Sequence, residues 1–107
     1  MSNQECTFCK IINKEIPTEF VYEDEEISVF ADINPKADVH LLVVPRDHIK
    51  SLLDVQDNQY QVLTKMIKVV QRLVEKQKLQ GGYQVLINGG HYQHIPHIHL
   101  HLLGERG

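Results

Sequence analysis

The stretch His97-Ile98-His99-Leu100-His101-Leu102-Leu103 sets an imidazole at every second position. In an extended strand alternate side chains share a face, so His97, His99 and His101 point one way and Ile98, Leu100 and Leu102 the other. Same-face neighbours lie about 6.5–7 Å apart, close enough for adjacent rings to meet one phosphate-sized group or one metal ion. A zinc held by all three rings, with water as nucleophile, is the poorer fit, because a third ligand displaced along a strand must bend back to close a tetrahedron. A solvated strand face accounts for any one of these histidines. It accounts poorly for five between His91 and His101, with His40 and His48 besides. A purification tag would not interleave Ile and Leu at strict period two.

A second constellation is Cys6-x-x-Cys9, which holds both cysteines of the chain. In a reducing compartment so short a pair binds metal or does redox work more often than it forms a structural disulfide. The redox reading is weak, since no strand precedes the pair to make a thioredoxin-like element.

Both sets of residues need elements to hold them. Phe8 to Lys14 reads as a short helix ending before Pro17, and Glu19–Glu23 with Glu26–Ala31 as a hairpin turning at Asp24-Glu25. Val39–Pro45 is a nearly unbroken apolar run, the pattern of a central strand buried on both faces. A short helical turn near Ile49 to Leu53 leads to a long helix that Asp57 can cap, with Leu63, Met66, Ile67, Val70, Leu73 and Val74 as its apolar stripe. Gly81-Gly82 would stop that helix, Tyr83 to Asn88 reads as a strand, and Gly89 to Ile95 as the loop feeding the histidine strand. The expected fold is α+β: a mostly antiparallel five-stranded sheet with one long and one short helix.

The 107 residues predict one domain, 1–107, near the size at which part of a core comes from a partner subunit, so a homodimer is expected. No apolar run approaches the ~20 residues of a membrane span. The polar Met1–Glu5 does not resemble a signal peptide, so a cytoplasmic location is expected. A net charge of −3 argues against sequence-independent nucleic-acid binding, which needs clustered Lys and Arg. One mononucleotide needs no basic surface, since backbone N–H groups and a few polar side chains hold it.

The His-φ-His-φ-His-φ-φ run, with φ apolar, matches the signature of the histidine triad (HIT) nucleotide-binding family. The chain also resembles that family through Phe8-Cys9-Lys10-Ile11-Ile12, Glu15-Ile16-Pro17, Tyr22-Glu23-Asp24, Phe30-Ala31-Asp32-Ile33, His40-Leu41-Leu42-Val43-Val44-Pro45 and His48-Ile49. The likeness is to its Hint-type branch, the purine nucleoside phosphoramidases. It implies a hydrolase that cleaves purine nucleoside 5'-phosphoramidates through a nucleotidyl-histidine, acting on AMP- or GMP-type substrates. His99 would be the nucleophile, with one ring nitrogen bare and the other donating to a fixed acceptor.

The resemblance further implies that His101 contacts the phosphate oxygens and that His40 extends the cluster. Asn88 and Gln93 would bond the phosphate, Asp32 the ribose hydroxyls, and Phe8, Phe30 and Ile33 would wall the purine. Structural Zn2+ is implied at Cys6, Cys9, His48 and His97, as in many bacterial members. His97 belongs to the triad but, once bound to zinc, could not readily be the acid for a leaving amine. His94 stands where phosphoramidases of the family commonly carry a serine, and offers a titratable donor instead. His94 and Pro96 depart from the family pattern, and the stop at Gly107 predicts that the longer C-terminal tail of some relatives is missing. The same pocket would serve a nucleotide-binding or scaffolding protein with incidental activity, or a dinucleoside polyphosphate hydrolase.

Overall fold

The computed structural model describes residues 6–106; Met1–Glu5 and Gly107 lie outside the described residues. Five strands form one sheet in the order β1-β2-β3-β5-β4, every neighbouring pair antiparallel: β1 Phe20–Glu23, β2 Ile27–Ala31, β3 Val39–Pro45, β4 Tyr83–Leu86 and β5 Leu100–Gly104. The helices are α1, Thr7–Ile12, and α2, Tyr60–Lys76. Asp24 Oδ1 accepts the N–H groups of Glu26 and Ile27, both at 2.7 Å, and so closes the β1–β2 hairpin.

All seven residues of β3 are buried because the sheet is covered on both faces. Val39, Leu41 and Val43 pack with Ile27, Val29, Leu100 and Leu102 against Met66, Val69, Val70, Leu73 and Val74 of α2. Leu42 and Val44 point the other way and pack with Phe30 against Phe8, Cys9, Ile11 and Ile12 of α1. The α2 crossover returns the chain not beside β3 but one strand further out, and β5 fills the gap between them.

Several boundaries differ from the sequence expectation. A 3-10 turn, Asp57–Gln59, precedes α2 and is capped by a reciprocal pairing of Gln56 with Gln59, so Asp57 lies inside the turn and does not cap the helix. Ile67 is half exposed and Val69 takes its place in the buried stripe. The helix ends ahead of Gly81-Gly82: Lys78 adopts φ +61°, its N–H donates to the Glu75 carbonyl, and the Leu79 N–H donates to that of Val74. That is a Schellman motif with lysine where glycine is usual, and the buried Leu79 is its apolar anchor.

The largest difference concerns the histidine strand, which joins the sheet only from Leu100. Val43↔Leu100 is the last β3–β5 pair. Upstream of it the backbone is diverted: the His97 N–H donates to Ile95 O (2.8 Å) and the Ile98 N–H to Ile49 O (2.6 Å). The alternation survives this detour, with Ile98, Leu100 and Leu102 buried in the interior and the histidines serving two separate clusters.

Candidate functional site

A cavity of about 670 Å3 opens on the α1 side of the sheet. One end is walled by Phe8 and Ile11 of α1, Phe30 of β2, the Ile16-Pro17-Thr18 segment, and Ile33. The other end is bounded by Leu86, Asn88, Tyr92 and His94, all from β4 or the connection that follows it. Between the ends lie His99, His101, His40 and Asp32.

The ring orientations follow from groups whose role is fixed. The Lys36 backbone N–H can only donate, and it lies 3.1 Å from His40 Nδ1. In a neutral His40 the proton therefore sits on Nε2, which donates to His101 Nδ1 at 2.9 Å. His101 then carries its own proton on Nε2, which points towards the amide nitrogen of Asn88 at 3.4 Å. Both nitrogens can donate to one acceptor that approaches from the cavity, and a phosphoryl oxygen suits that place.

His99 is set by its own strand. Its Nδ1–H donates to the His97 carbonyl at 2.7 Å, which leaves Nε2 as a bare lone pair in the cavity, beside His101 at a ring separation of 4.9 Å. Phe8 presents its ring edge-on to His99, 4.9 Å between centroids. Burial lowers the His99 pKa from its ordinary value, against opposing help from the His97 carbonyl and Asp32. Burial, then the neighbouring His99 and His40, lowers that of His101 to about 4. Both rings are neutral at pH 7, as an attacking nitrogen requires. Asp32 Oδ2 lies 3.5 Å from His40 Nε2, and its other oxygen accepts the Asn34 N–H at 2.8 Å.

A second cluster lies behind the cavity wall. Cys6 Sγ is 3.3 Å from His97 Nδ1, Cys9 Sγ is 3.5 Å from the same nitrogen and 3.3 Å from His48 Nδ1, and all four donor atoms fall within 4.8 Å. Bonds of about 2.3 Å to sulfur and 2.0–2.1 Å to nitrogen around a tetrahedral zinc put ligands some 3.3–3.8 Å apart, so the set fits that ion. The His97 tautomer agrees, since Nε2–H donates to the Pro45 carbonyl at 2.7 Å and frees Nδ1 for a metal. Burial, followed by the nearby Cys6, pushes the Cys9 thiol up to about 12, an environment that a bound cation reverses. Asp32, His40 and His101 also lie close together, but the Lys36 N–H on one side of His40 obliges a proton on the other. That trio does not fit a metal.

His40, His94, His99, His101, Phe8, Phe30, Asp32, Ile33 and Asn88 all line the cavity as expected. Gln93 does not: its amide donates to the carbonyls of Lys50 (2.7 Å) and Ile95 (3.0 Å), so it braces the loop instead of meeting a phosphate. His97 is fully buried with both ring nitrogens engaged, which removes it from the reacting groups and rules out a zinc shared by the three triad rings. The sequence reading missed the Lys36 N–H and Pro45 carbonyl, backbone groups with no side-chain signature. It also missed Tyr92, whose type alone does not mark a cavity wall.

A profile of the family described as "Scavenger mRNA decapping enzyme C-term binding" matches residues 5–106. The "14 kDa zinc-binding protein" of Zea mays is 41% identical over 103 residues, covering 92% of this chain and 80% of that protein. The "Purine nucleoside phosphoramidase" of Escherichia coli (strain K12) is 38% identical over 106 residues, 96% of this chain and 89% of that one. Among solved structures, an HIT family hydrolase from Legionella pneumophila superimposes with a TM-score of 0.90 at 40% identity, covering 94% of this chain and 92% of its own. The five-stranded antiparallel sheet, the long helix and these likenesses agree, and the chain belongs to the histidine triad family of hydrolases.

Proposed function

We propose that the chain, a single domain, cleaves the P–N bond of purine nucleoside 5'-phosphoramidates through a nucleotide covalently held on His99. The observation that carries the reading is the bare Nε2 of His99 beside two convergent donors, His101 Nε2–H and the Asn88 amide. With the purine against Phe8, Phe30 and Ile33 and the ribose hydroxyls on Asp32, the α-phosphorus lies over the histidines. Nε2 of His99 forms a bond to phosphorus as the P–N bond breaks. His94, on the wall beyond, gives the departing amine its proton. Water then attacks phosphorus and returns a proton to His94; the P–Nε2 bond breaks, and a nucleoside monophosphate leaves. Negative charge on the phosphoryl oxygens is met by the His101 and Asn88 donors throughout.

Cys6, Cys9, His48 and His97 would hold structural Zn2+, whose chemistry is to cross-link α1 to the segment entering β5. Two buried free thiols suit a reducing cytoplasm, and no helix of the described residues is long and apolar enough to cross a membrane. We further assign a homodimer through β4, an edge strand whose Tyr83, Val85 and Leu86 are exposed together with neighbouring Ile87.

The test is a single turnover with adenosine 5'-phosphoramidate under rapid acid quench. Mass spectrometry is expected to find one nucleotidyl group on His99, and His99→Ala is expected to lose turnover while still binding AMP. Wild-type turnover in His99→Ala would remove this residue from the chemistry. Binding with no adduct would instead favour a nucleotide-binding scaffold.

A further inference from the structure

His97 belongs to both clusters at once. Its ring carries one of the four metal-site donor atoms, with Nδ1 3.3 Å from Cys6 Sγ and 3.5 Å from Cys9 Sγ. Its backbone carbonyl, two residues upstream, accepts the Nδ1–H of His99 at 2.7 Å and thereby decides which nitrogen of His99 faces the cavity. The opposite ring nitrogen of His97 donates to Pro45 O, so ring and main chain are held as one body with the end of β3. A second connection runs through Phe8. It stands between Cys6 and Cys9 in the sequence, meets the His97 ring at 5.9 Å and the His99 ring at 4.9 Å, and forms the cavity wall with Phe30, 5.6 Å away.

We propose that the metal site and the nucleotide cavity are thermodynamically linked, with His97 as the positioning residue whose metal-bound ring holds the carbonyl that orients His99, and Phe8 as the parallel connection. This rests on the nucleotide-site and zinc readings above. A metal on the Cys6, Cys9, His48 and His97 donors narrows the positions open to the His97 carbonyl and to the Phe8 ring. The nucleotide then meets a cavity already in its binding arrangement, and the ordering needed on binding is smaller. Linkage is reciprocal: whatever factor the metal adds to nucleotide affinity, the nucleotide must add to metal affinity.

The experiment uses AMP and Zn2+ as the probes on the whole chain. Calorimetry gives the AMP Kd for chelator-stripped and zinc-loaded protein, and competition with a chromophoric chelator gives the Zn2+ affinity with and without saturating AMP. Couplings between sites commonly span 5- to 150-fold, and about tenfold, equal in both directions, is expected here. Nitrogen-15 spectra of the His99 ring are expected to show one Nδ1–H tautomer in the loaded form and a mixture in the stripped form. AMP affinities within twofold of each other, with an unchanged His99 spectrum, overturn the proposal while leaving both binding readings standing. Failure of either Zn2+ or AMP to bind overturns the corresponding reading and the proposal with it. If the stripped chain does not fold, cadmium-loaded protein replaces it. The longer bonds of that ion are expected to displace His97, move the His99 resonances and change the AMP Kd by at least twofold, and a smaller change in Kd overturns the coupling.

Discussion

His40→Phe isolates the hydrogen-bond chain that starts at a main-chain amide and ends in the cavity. The substitution keeps a buried ring of similar size and removes three contacts: the acceptor for the Lys36 N–H, the Nε2–H that donates to His101, and the approach of Nε2 to Asp32 Oδ2 at 3.5 Å. Without that donor, His101 is free to carry its proton on Nδ1 and to present a lone pair, not an N–H, to a phosphate oxygen. A hydrogen bond to a charged group contributes about 1.5–3 kcal/mol, and at about 1.4 kcal/mol per tenfold its loss reduces kcat/KM by roughly 10- to 150-fold. Lys36 is exposed, so water can take up its freed N–H and the cost in stability is small; the variant is expected to fold. Initial rates with adenosine 5'-phosphoramidate give kcat/KM, and a thermal melt confirms folding. His40→Gln, which restores a donor on a flexible arm, is expected to recover part of the loss. A folded His40→Phe protein with kcat/KM within twofold of wild type would refute the tautomer argument.

Three further outcomes are expected. The His101 pKa lies at about 4 in the fold, through burial and the neighbouring His99 and His40, whereas an imidazole in the unfolded chain titrates near 6.5. Between those values the unfolded chain binds the additional proton, so the His101 contribution is complete above about pH 6.5 and lost as pH falls towards 4. Melting curves across that range check it: His101→Gln should flatten the fall, and an equal slope in both proteins refutes it. Ser28 on β2 is fully buried and its hydroxyl has no partner among the described residues, so Ser28→Ala is expected to gain about 1 kcal/mol. That corresponds to a Tm rise of about 4–8 °C, and a lower Tm would mean that the hydroxyl is satisfied. Lys78→Gly relieves the left-handed backbone at φ +61° and is expected to add about 1 kcal/mol in urea denaturation; a loss of stability there would contradict the strain assigned to it.

What was legible in the sequence was set by periodicity and local chemistry. Val39–Pro45 announced burial on both faces because a continuous apolar run has no other soluble use in a sheet, and α1 and α2 supply the two covers. Cys6-x-x-Cys9 pointed to a metal half-site because two thiols so close together in a reducing compartment more often bind metal than form a structural disulfide, and the same two sulfurs meet His48 and His97. Alternation through His97 and His99 reports which side each residue takes, not whether a neighbouring strand is there to pair with. The Pro45 carbonyl is taken by the His97 ring, and the Ile98 N–H goes to Ile49 O, neither of which leaves a mark in the pattern. Gln93 was misplaced because an amide serves a phosphate and a peptide carbonyl equally well, and only the fold decides which is nearer. The end of α2 leaves no glycine signal in the sequence because its left-handed residue is a lysine.

The six residues of α1 form a helix far shorter than the ~12–15 that hold together unaided in water, so contact with the sheet maintains it. Yet this segment supplies Phe8 and Ile11 to the cavity and Cys9 to the donor set, while the larger apolar interior under α2 takes nothing from it. The residues that shape the cavity and the donor set therefore hang on the least independent element of the fold. Amide exchange in α1 should outpace that in β3, and loss of α1 would open the cavity and uncover Phe30, Leu42 and Val44 together.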